Sequence, residues 1–272
     1  MDMAVVAGVS LEYMDSGTGD PVVCIHGAFI ADAFEPLASE HPIADRYRLI
    51  RYHRRGYGGS SSSRGHVSLP ELARDCQTMM SHLGVRRAHL VGHSLGGAIA
   101  LQVALDVPKR VHTLSLLEAA LTIGESANSY RQMLTRSMER YREVGAHIAV
   151  DEFLTIRWPA YREPLERVLP GAFEQAVNDA PTFFEADLPA LVDWRFDAAK
   201  ARRVRQPVLV VLGEVSAALH PRFEETYQLL MSWLQDAEGC VLPDASHFLQ
   251  VEHPASVAKA LNDFWRRNPL HV

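Results

Sequence analysis

The hexapeptide Gly92-His93-Ser94-Leu95-Gly96-Gly97, directly behind the apolar run Ala88-His89-Leu90-Val91, limits what this chain can fold into more than any other feature. The run before it reads as a strand and Ala98 to Leu105 behind it as a buried helix, so the serine falls on a strand-to-helix turn. Glycines two residues before and two after let the backbone fold back where a Cβ would collide across the turn. A serine held there is strained and exposed, the arrangement called a nucleophile elbow.

The rest of the chain alternates strands and helices. Val9 to Tyr13 reads as an early strand, Gly17-Thr18-Gly19-Asp20-Pro21 as a turn, and Val22 to Ile25 as a strand buried on both faces. Tyr47 to Tyr52 gives the next strand and Leu69 to Leu83 a helix ended by Gly84. After the elbow and its helix come a strand from Val111 to Leu117 and, past an irregular middle, another from Pro207 to Leu212. Arg222 to Leu234 reads as a helix, Gly239 to Leu242 as a last strand and Pro254 to Trp265 as a closing helix with proline in its first turn. Such alternation calls for a mostly parallel sheet with helices on both faces. Residues 120–200 break the pattern: they are helical and aromatic-rich, and read as a cap inserted in a core of residues 1–119 and 201–272. Within that cap Trp158, Phe183 and Trp194 are candidate substrate contacts, together with Phe29 from the core.

Composition narrows the partners. With 272 residues, 47% hydrophobic and 22% charged, the chain can bury an extensive core. A formal charge of −6 argues against nucleic acid or an anionic membrane as main partner, and Arg54-Arg55 and Arg202-Arg203 read as solvated faces. The N-terminus lacks the basic stretch and apolar core of a signal peptide, and no run of about 18 apolar residues is present, so a cytoplasmic protein is expected. Cys24, Cys76 and Cys240 are widely spaced and fit reduced thiols better than disulfides or zinc ligands. No metal-ligand spacing, dinucleotide fingerprint or phosphate loop occurs, so no cofactor is expected. Ser60-Ser61-Ser62-Ser63 reads as a loop.

Several motifs together carry a family resemblance: His26-Gly27-Ala28-Phe29 after the third strand, Arg55-Gly56-Tyr57-Gly58-Gly59-Ser60 after the fourth, the elbow, Pro207 to Glu214 at the seventh strand, and Ala245-Ser246-His247-Phe248 near the end. Over nearly its whole length the chain resembles an α/β-hydrolase. The resemblance implies an α/β fold with a mostly parallel eight-stranded sheet, helices on both faces and a helical cap between strands 6 and 7. One departure is His53, where members of this family commonly carry an Asp.

Ser94 is weak as a nucleophile at its own pKa and needs a base. Among thirteen histidines, His247 has the right place, in a loop after the last strand. His26 and His93 flank the site as parts of turn motifs, and His220, His253 and His271 read as exposed. An oxyanion formed at an attacked carbonyl needs preorganised donors, for which the backbone N–H groups of Leu95 and Ala28 are the candidates, with Phe29 next. The acid is displaced: Gly213-Glu214-Val215-Ser216 puts a hydroxyl where most relatives carry an Asp. Glu118, after the sixth strand, and Glu214 are the two replacements. Haloalkane dehalogenases and zearalenone-type lactone hydrolases resemble the arrangement with Glu118. Neighbouring strands lie about 4.8 Å apart, so either strand end can aim a carboxylate at the same imidazole.

A serine at position 94 cannot readily displace halide, which leaves acyl chemistry. The expectation is a serine hydrolase, a monomer or homodimer, cleaving a small-molecule ester or lactone through an acyl-enzyme. The alternatives are carbon–carbon hydrolysis of a vinylogous diketone, a cofactor-free perhydrolase side activity, and a ligand-binding signalling receptor on the same fold with little turnover.

Overall fold

A computed structural model describes residues 1–6, 8–62 and 67–270 of the chain. Among these residues eight strands form one sheet: β1 (Asp2–Val6), β2 (Val9–Ser16), β3 (Asp20–Ile25), β4 (Tyr47–Tyr52), β5 (Ala88–His93), β6 (Val111–Leu117), β7 (Val208–Gly213) and β8 (Ala237–Leu242). Their order is β1-β2-β4-β3-β5-β6-β7-β8. The β1–β2 and β2–β4 pairs are antiparallel and the others parallel. Every position of β5 and β7 is buried, as strands covered on both faces require.

The principal helices are α1 (Leu69–His82), α2 (Leu95–Asp106), α3 (Ala127–Arg157), α4 (Arg162–Val168), α5 (Ala172–Asn178), α6 (Leu188–Asp193), α7 (Pro221–Trp233) and α8 (Pro254–Arg267). A reciprocal capping box starts α1: the Glu71 N–H donates to Ser68 Oγ and the Ser68 N–H to Glu71 Oε2. Successive β5 residues feed two cores on opposite faces of the sheet. Leu90 joins α1 and α2 residues such as Met79 and Ile99, and Val91 joins Leu261 and Trp265 of α8. The strand end that carries Ser94 is therefore clamped from both sides.

Between β6 and β7 the described elements are all helical, running from α3 through α6 to Ala198–Ala201. Gly145, in a left-handed conformation, kinks α3. Phe153, Phe183 and Phe184 from this segment gather around Phe29 of the β3 loop, with ring centroids 4.3–5.5 Å from it. Three details depart from expectation. The turn before β3 is shorter, because Asp20 and Pro21 pair with Tyr47 and Arg48 of β4. A helical turn, Glu214–Leu219, follows β7. Arg54 and Arg55 are no solvated pair: Asp187 takes the fully buried Arg54 guanidinium and Asp75 takes Arg55. Ser63 of the serine run, and His271, lie outside the described residues.

Candidate active site

Ser94 directly follows β5 and is buried rather than exposed, with φ 52° and ψ −117°, a left-handed conformation costing on the order of 1–3 kcal/mol in a residue with a Cβ. Three backbone hydrogen bonds hold it: the Ser94 N–H donates to Leu117 O at 2.9 Å, and Ser94 O accepts from Gly97 at 3.0 Å and Ala120 at 2.9 Å. At about 1 kcal/mol net each they offset the strain. A Cβ on Gly92 would stand 2.3 Å from Gly96 O, and one on Gly96 1.9 Å from Ile25 O, so both positions exclude larger residues. The loop after β3 passes equally close, since a Cβ on Gly27 would lie 2.9 Å from Ser94 Cβ.

The two backbone segments expected to supply oxyanion donors both adjoin this serine. Leu95 is the first residue of α2, and its N–H is one of those a helix start leaves without an intrahelical acceptor. On the other side the Ile30 N–H donates to Ala28 O at 2.7 Å across Phe29, whose φ is 61°. This tight turn directly follows Gly27, the residue that packs on Ser94, and buries the Phe29 ring completely.

Of the two candidate acids, the structure brings Glu118 to the imidazole. Its Oε2 lies 2.6 Å from His247 Nδ1, while its Oε1 accepts the Gly213 N–H at 2.7 Å. Glu118 also has a positive φ, 45°, and its N–H donates to Val211 O at 3.1 Å. Glu214 is exposed at the start of the next helical turn, with Oε2 3.4 Å from the Asp244 N–H, and does not reach His247. Ser216 is buried, and its hydroxyl favours the charged Glu118 carboxylate without meeting hydrogen-bond geometry. Neither Ser94 Oγ nor His247 Nε2 takes a hydrogen bond among the described residues. Bonds of this kind often tighten only around substrate.

Burial dominates the electrostatics. It pushes the Glu118 carboxyl up to about 8, against the Gly213 N–H, Ser216 and Arg222, which favour the anion. It drives the His247 imidazole well below its ordinary value, and His93, Arg157 and Arg222 add to that. The flanking histidines are tied to backbone. His93 Nε2 lies 2.7 Å from His247 O, and burial lowers its pKa to about 4. His26 is fixed between Gly27 O at Nδ1 and the Arg54 N–H at Nε2. Arg54 reaches further: its side chain donates to His26 O and Gly27 O, and pairs in two places with Asp187 of the helical segment. His53 bridges Glu12 at 2.8 Å and Asp32 at 2.9 Å, and the two carboxylates raise its pKa against burial.

The four candidate substrate contacts separate. Phe29 and Phe183 share one aromatic cluster. Trp158 packs on Phe248, next to His247. Trp194 lies apart: its Nε1 donates to Gln102 of α2 at 2.7 Å and its ring stacks on Phe196. All four are buried. His220 is half-buried rather than exposed, with Nε2 2.8 Å from Ile156 O. Sequence reasoning missed Arg157, buried against the site, whose backbone O lies 3.4 Å from the His247 N–H. A signal existed: Val150, Phe153, Leu154 and Arg157 share one apolar helix face at i, i+3, i+4, i+7 spacing.

The chain is 30% identical to the dihydrolipoyllysine-residue acetyltransferase component of an acetoin cleaving system from Pseudomonas putida, over 97% of this chain and 69% of that protein. It is 26% identical to a 2-hydroxymuconate semialdehyde hydrolase from Pseudomonas putida, over 95% of this chain and 91% of the other. The enol-lactonase of Burkholderia xenovorans LB400 has the same fold, with a TM-score of 0.85 at 23% identity, covering 97% of this chain and all of that one. A model of the alpha/beta hydrolase family matches residues 22–260. The chain belongs to the alpha/beta hydrolase family.

Proposed function

We propose that this protein is a serine hydrolase that cleaves a carboxylic ester or lactone through an acyl-enzyme. Ser94 Oγ attacks the carbonyl carbon while His247 Nε2 takes its proton. Glu118 holds Nδ1 and stabilises the imidazolium that forms. The Leu95 and Ala28 N–H groups receive the oxyanion, where losing one donor typically costs about 10²–10³ in rate. Collapse expels the alkoxide, which takes the proton from Nε2. Water, activated by the same nitrogen, then releases the acid and restores Ser94. Residues 120–200 serve as the cap over this site. The 2.6 Å Glu118–His247 contact, made beside the strained Ser94, is the observation that most supports this reading.

Relatives named as hydrolases of 2-hydroxymuconate semialdehyde favour carbon–carbon hydrolysis as a second reading. Turnover of short neutral esters, of lactones of rising ring size and of a vinylogous diketone, each measured as kcat/KM, separates the two. Ester or lactone turnover at least tenfold above the diketone upholds the first, and the reverse order the second.

A further inference from the structure

Arg157 ends α3 with its side chain buried, its residue only 4% exposed. A buried guanidinium normally has a carboxylate, because an unpaired charge removed from water costs several kcal/mol. Arg54 follows that rule with Asp187. Arg157 does not. Its NH1 donates to Phe153 O at 3.0 Å, its NH2 lies 3.9 Å from Met133 Sδ, and its guanidinium sits 3.3 Å above the Phe153 ring. Among the described residues no Asp or Glu pairs with it.

Arg222 at the start of α7 makes no salt bridge among the described residues: it lies 4.0 Å above the Tyr130 ring and 3.8 Å above Phe223, and its charge acts on the Glu118 carboxyl from a distance. Arg157, Arg222, Tyr130 and His220 line one cavity of about 200 Å³ whose walls, among the described residues, include no Asp or Glu. Two contacts connect the residues of this wall to His247. The His247 N–H points to Arg157 O, and the Phe223 ring under Arg222 lies 4.9 Å from the His247 ring. Burial, with Arg222, pulls the Arg157 guanidinium down to about 9, and the Tyr130 hydroxyl offsets only part of that.

We infer that Arg157 and Arg222 form an anion site beside His247 that receives a carboxylate carried by the substrate itself, so that the preferred ester or lactone is one bearing a free acid group. The assignment rests on the hydrolase reading above and names its substrate class. A carboxylate there would supply the partner that the buried guanidinium lacks, with Tyr130 and Ser129 offering hydroxyl donors from the same wall.

The test uses matched probes, the p-nitrophenyl monoester of glutaric acid against p-nitrophenyl butyrate. The expected wild-type kcat/KM ratio favours the acidic ester by about tenfold or more, as charge-assisted hydrogen bonds to a desolvated carboxylate provide. Arg157→Met and Arg222→Gln should each cut that ratio about tenfold, chiefly through KM. The half-buried Arg222 keeps the test valid where Arg157→Met alters folding. Glutarate should also raise the Tm of Ser94→Ala, and do so less in Ser94→Ala/Arg222→Gln, which tests the site without turnover. Equal handling of both esters by wild type, or a Tm rise that sodium sulfate reproduces at equal ionic strength in both variants, would overturn the anion site and leave the ester hydrolase intact. Glutarate binding without turnover of either ester would instead sink the hydrolase reading.

Discussion

Ser94 and Glu118 stand one residue beyond the paired positions His93 and Leu117, at the carboxyl ends of adjacent parallel strands, and both adopt left-handed backbone conformations, φ 52° and 45°. The β5–β6 register thus places the Ser94 hydroxyl and the Glu118 carboxyl on adjacent strand ends. One loop after β8 then delivers His247 to the carboxylate. Under the proposed mechanism the acid needs only a position one strand away from the nucleophile, which leaves position 216 free to carry a serine.

Removing that acid has a sharp expected outcome. Glu118→Ala should lower kcat for a short activated ester by about 10³–10⁴, as loss of the orienting carboxylate does elsewhere. Glu214→Ala, exposed and away from the ring, should stay within about threefold. Placing aspartate at the buried position 216 in the Glu118→Ala background should restore part of the loss, because that side chain already acts on the Glu118 carboxylate. Near-normal turnover by Glu118→Ala would end its assignment.

The pH profile follows from burial. Below about 8 the Glu118 carboxyl keeps its proton and donates a hydrogen bond to Nδ1 of the neutral His247 ring, so that Nε2 carries the ring hydrogen and cannot act as base. Raising pH removes that proton and frees Nε2. Activity per enzyme should climb with pH to a half-maximum approaching 8, and a midpoint below 6 would contradict this. Stability runs the other way. A carboxyl whose folded pKa exceeds its unfolded value stabilises the fold at pH below 4.5, and that contribution is lost as pH rises through about 8. Glu118→Gln should therefore gain Tm over the parent at pH 9 and not at pH 4.

His53 offers a separate pH test. Burial opposes its protonation, but Asp32 and Glu12 outweigh it and raise its pKa above 6.5. A raised pKa contributes stability that is present below 6.5 and lost as pH climbs through the folded value. Denaturant titration of His53→Gln should show a loss of about 1 kcal/mol at pH 6 and little at pH 9. Equal losses at both would show that the bridge does not depend on its charge.

Arg54 links the oxyanion loop to the helical segment through Asp187. Asp187→Ala leaves a buried guanidinium unpaired and should cost about 3–5 kcal/mol in denaturant unfolding. Because the same guanidinium holds His26 O and Gly27 O, kcat should fall with it. A Trp194→Phe variant, losing only its bond to Gln102, should lose about 1 kcal/mol and no ester selectivity.

Most of the sheet was legible in the sequence because continuous apolar runs such as Val208–Leu212 can only be strands covered on both faces. The elbow was legible because backbone approach at Gly92 and Gly96 admits no Cβ. Glu118 could be narrowed only to one of two residues, since Glu118 and Glu214 follow neighbouring strands and their separation depends on where β6 and β7 end. Arg54 and Arg157 were not legible as buried cations. Their burial is decided by Asp187, distant in sequence, and by the packing of α3 against the His247 loop. Trp194 looked like a cap aromatic by composition, and its place against α2 is a tertiary outcome.

The central claim is that Ser94 forms the acyl-enzyme, and single-turnover kinetics with a p-nitrophenyl ester test it most directly. The account predicts a burst of one nitrophenolate per wild-type chain with the acyl mass on Ser94, and for Ser94→Ala no burst, an unchanged Tm and a rate lower by about 10⁴ or more. A Ser94→Ala protein that keeps more than about a tenth of wild-type turnover, or an acyl group found on another residue, would contradict it.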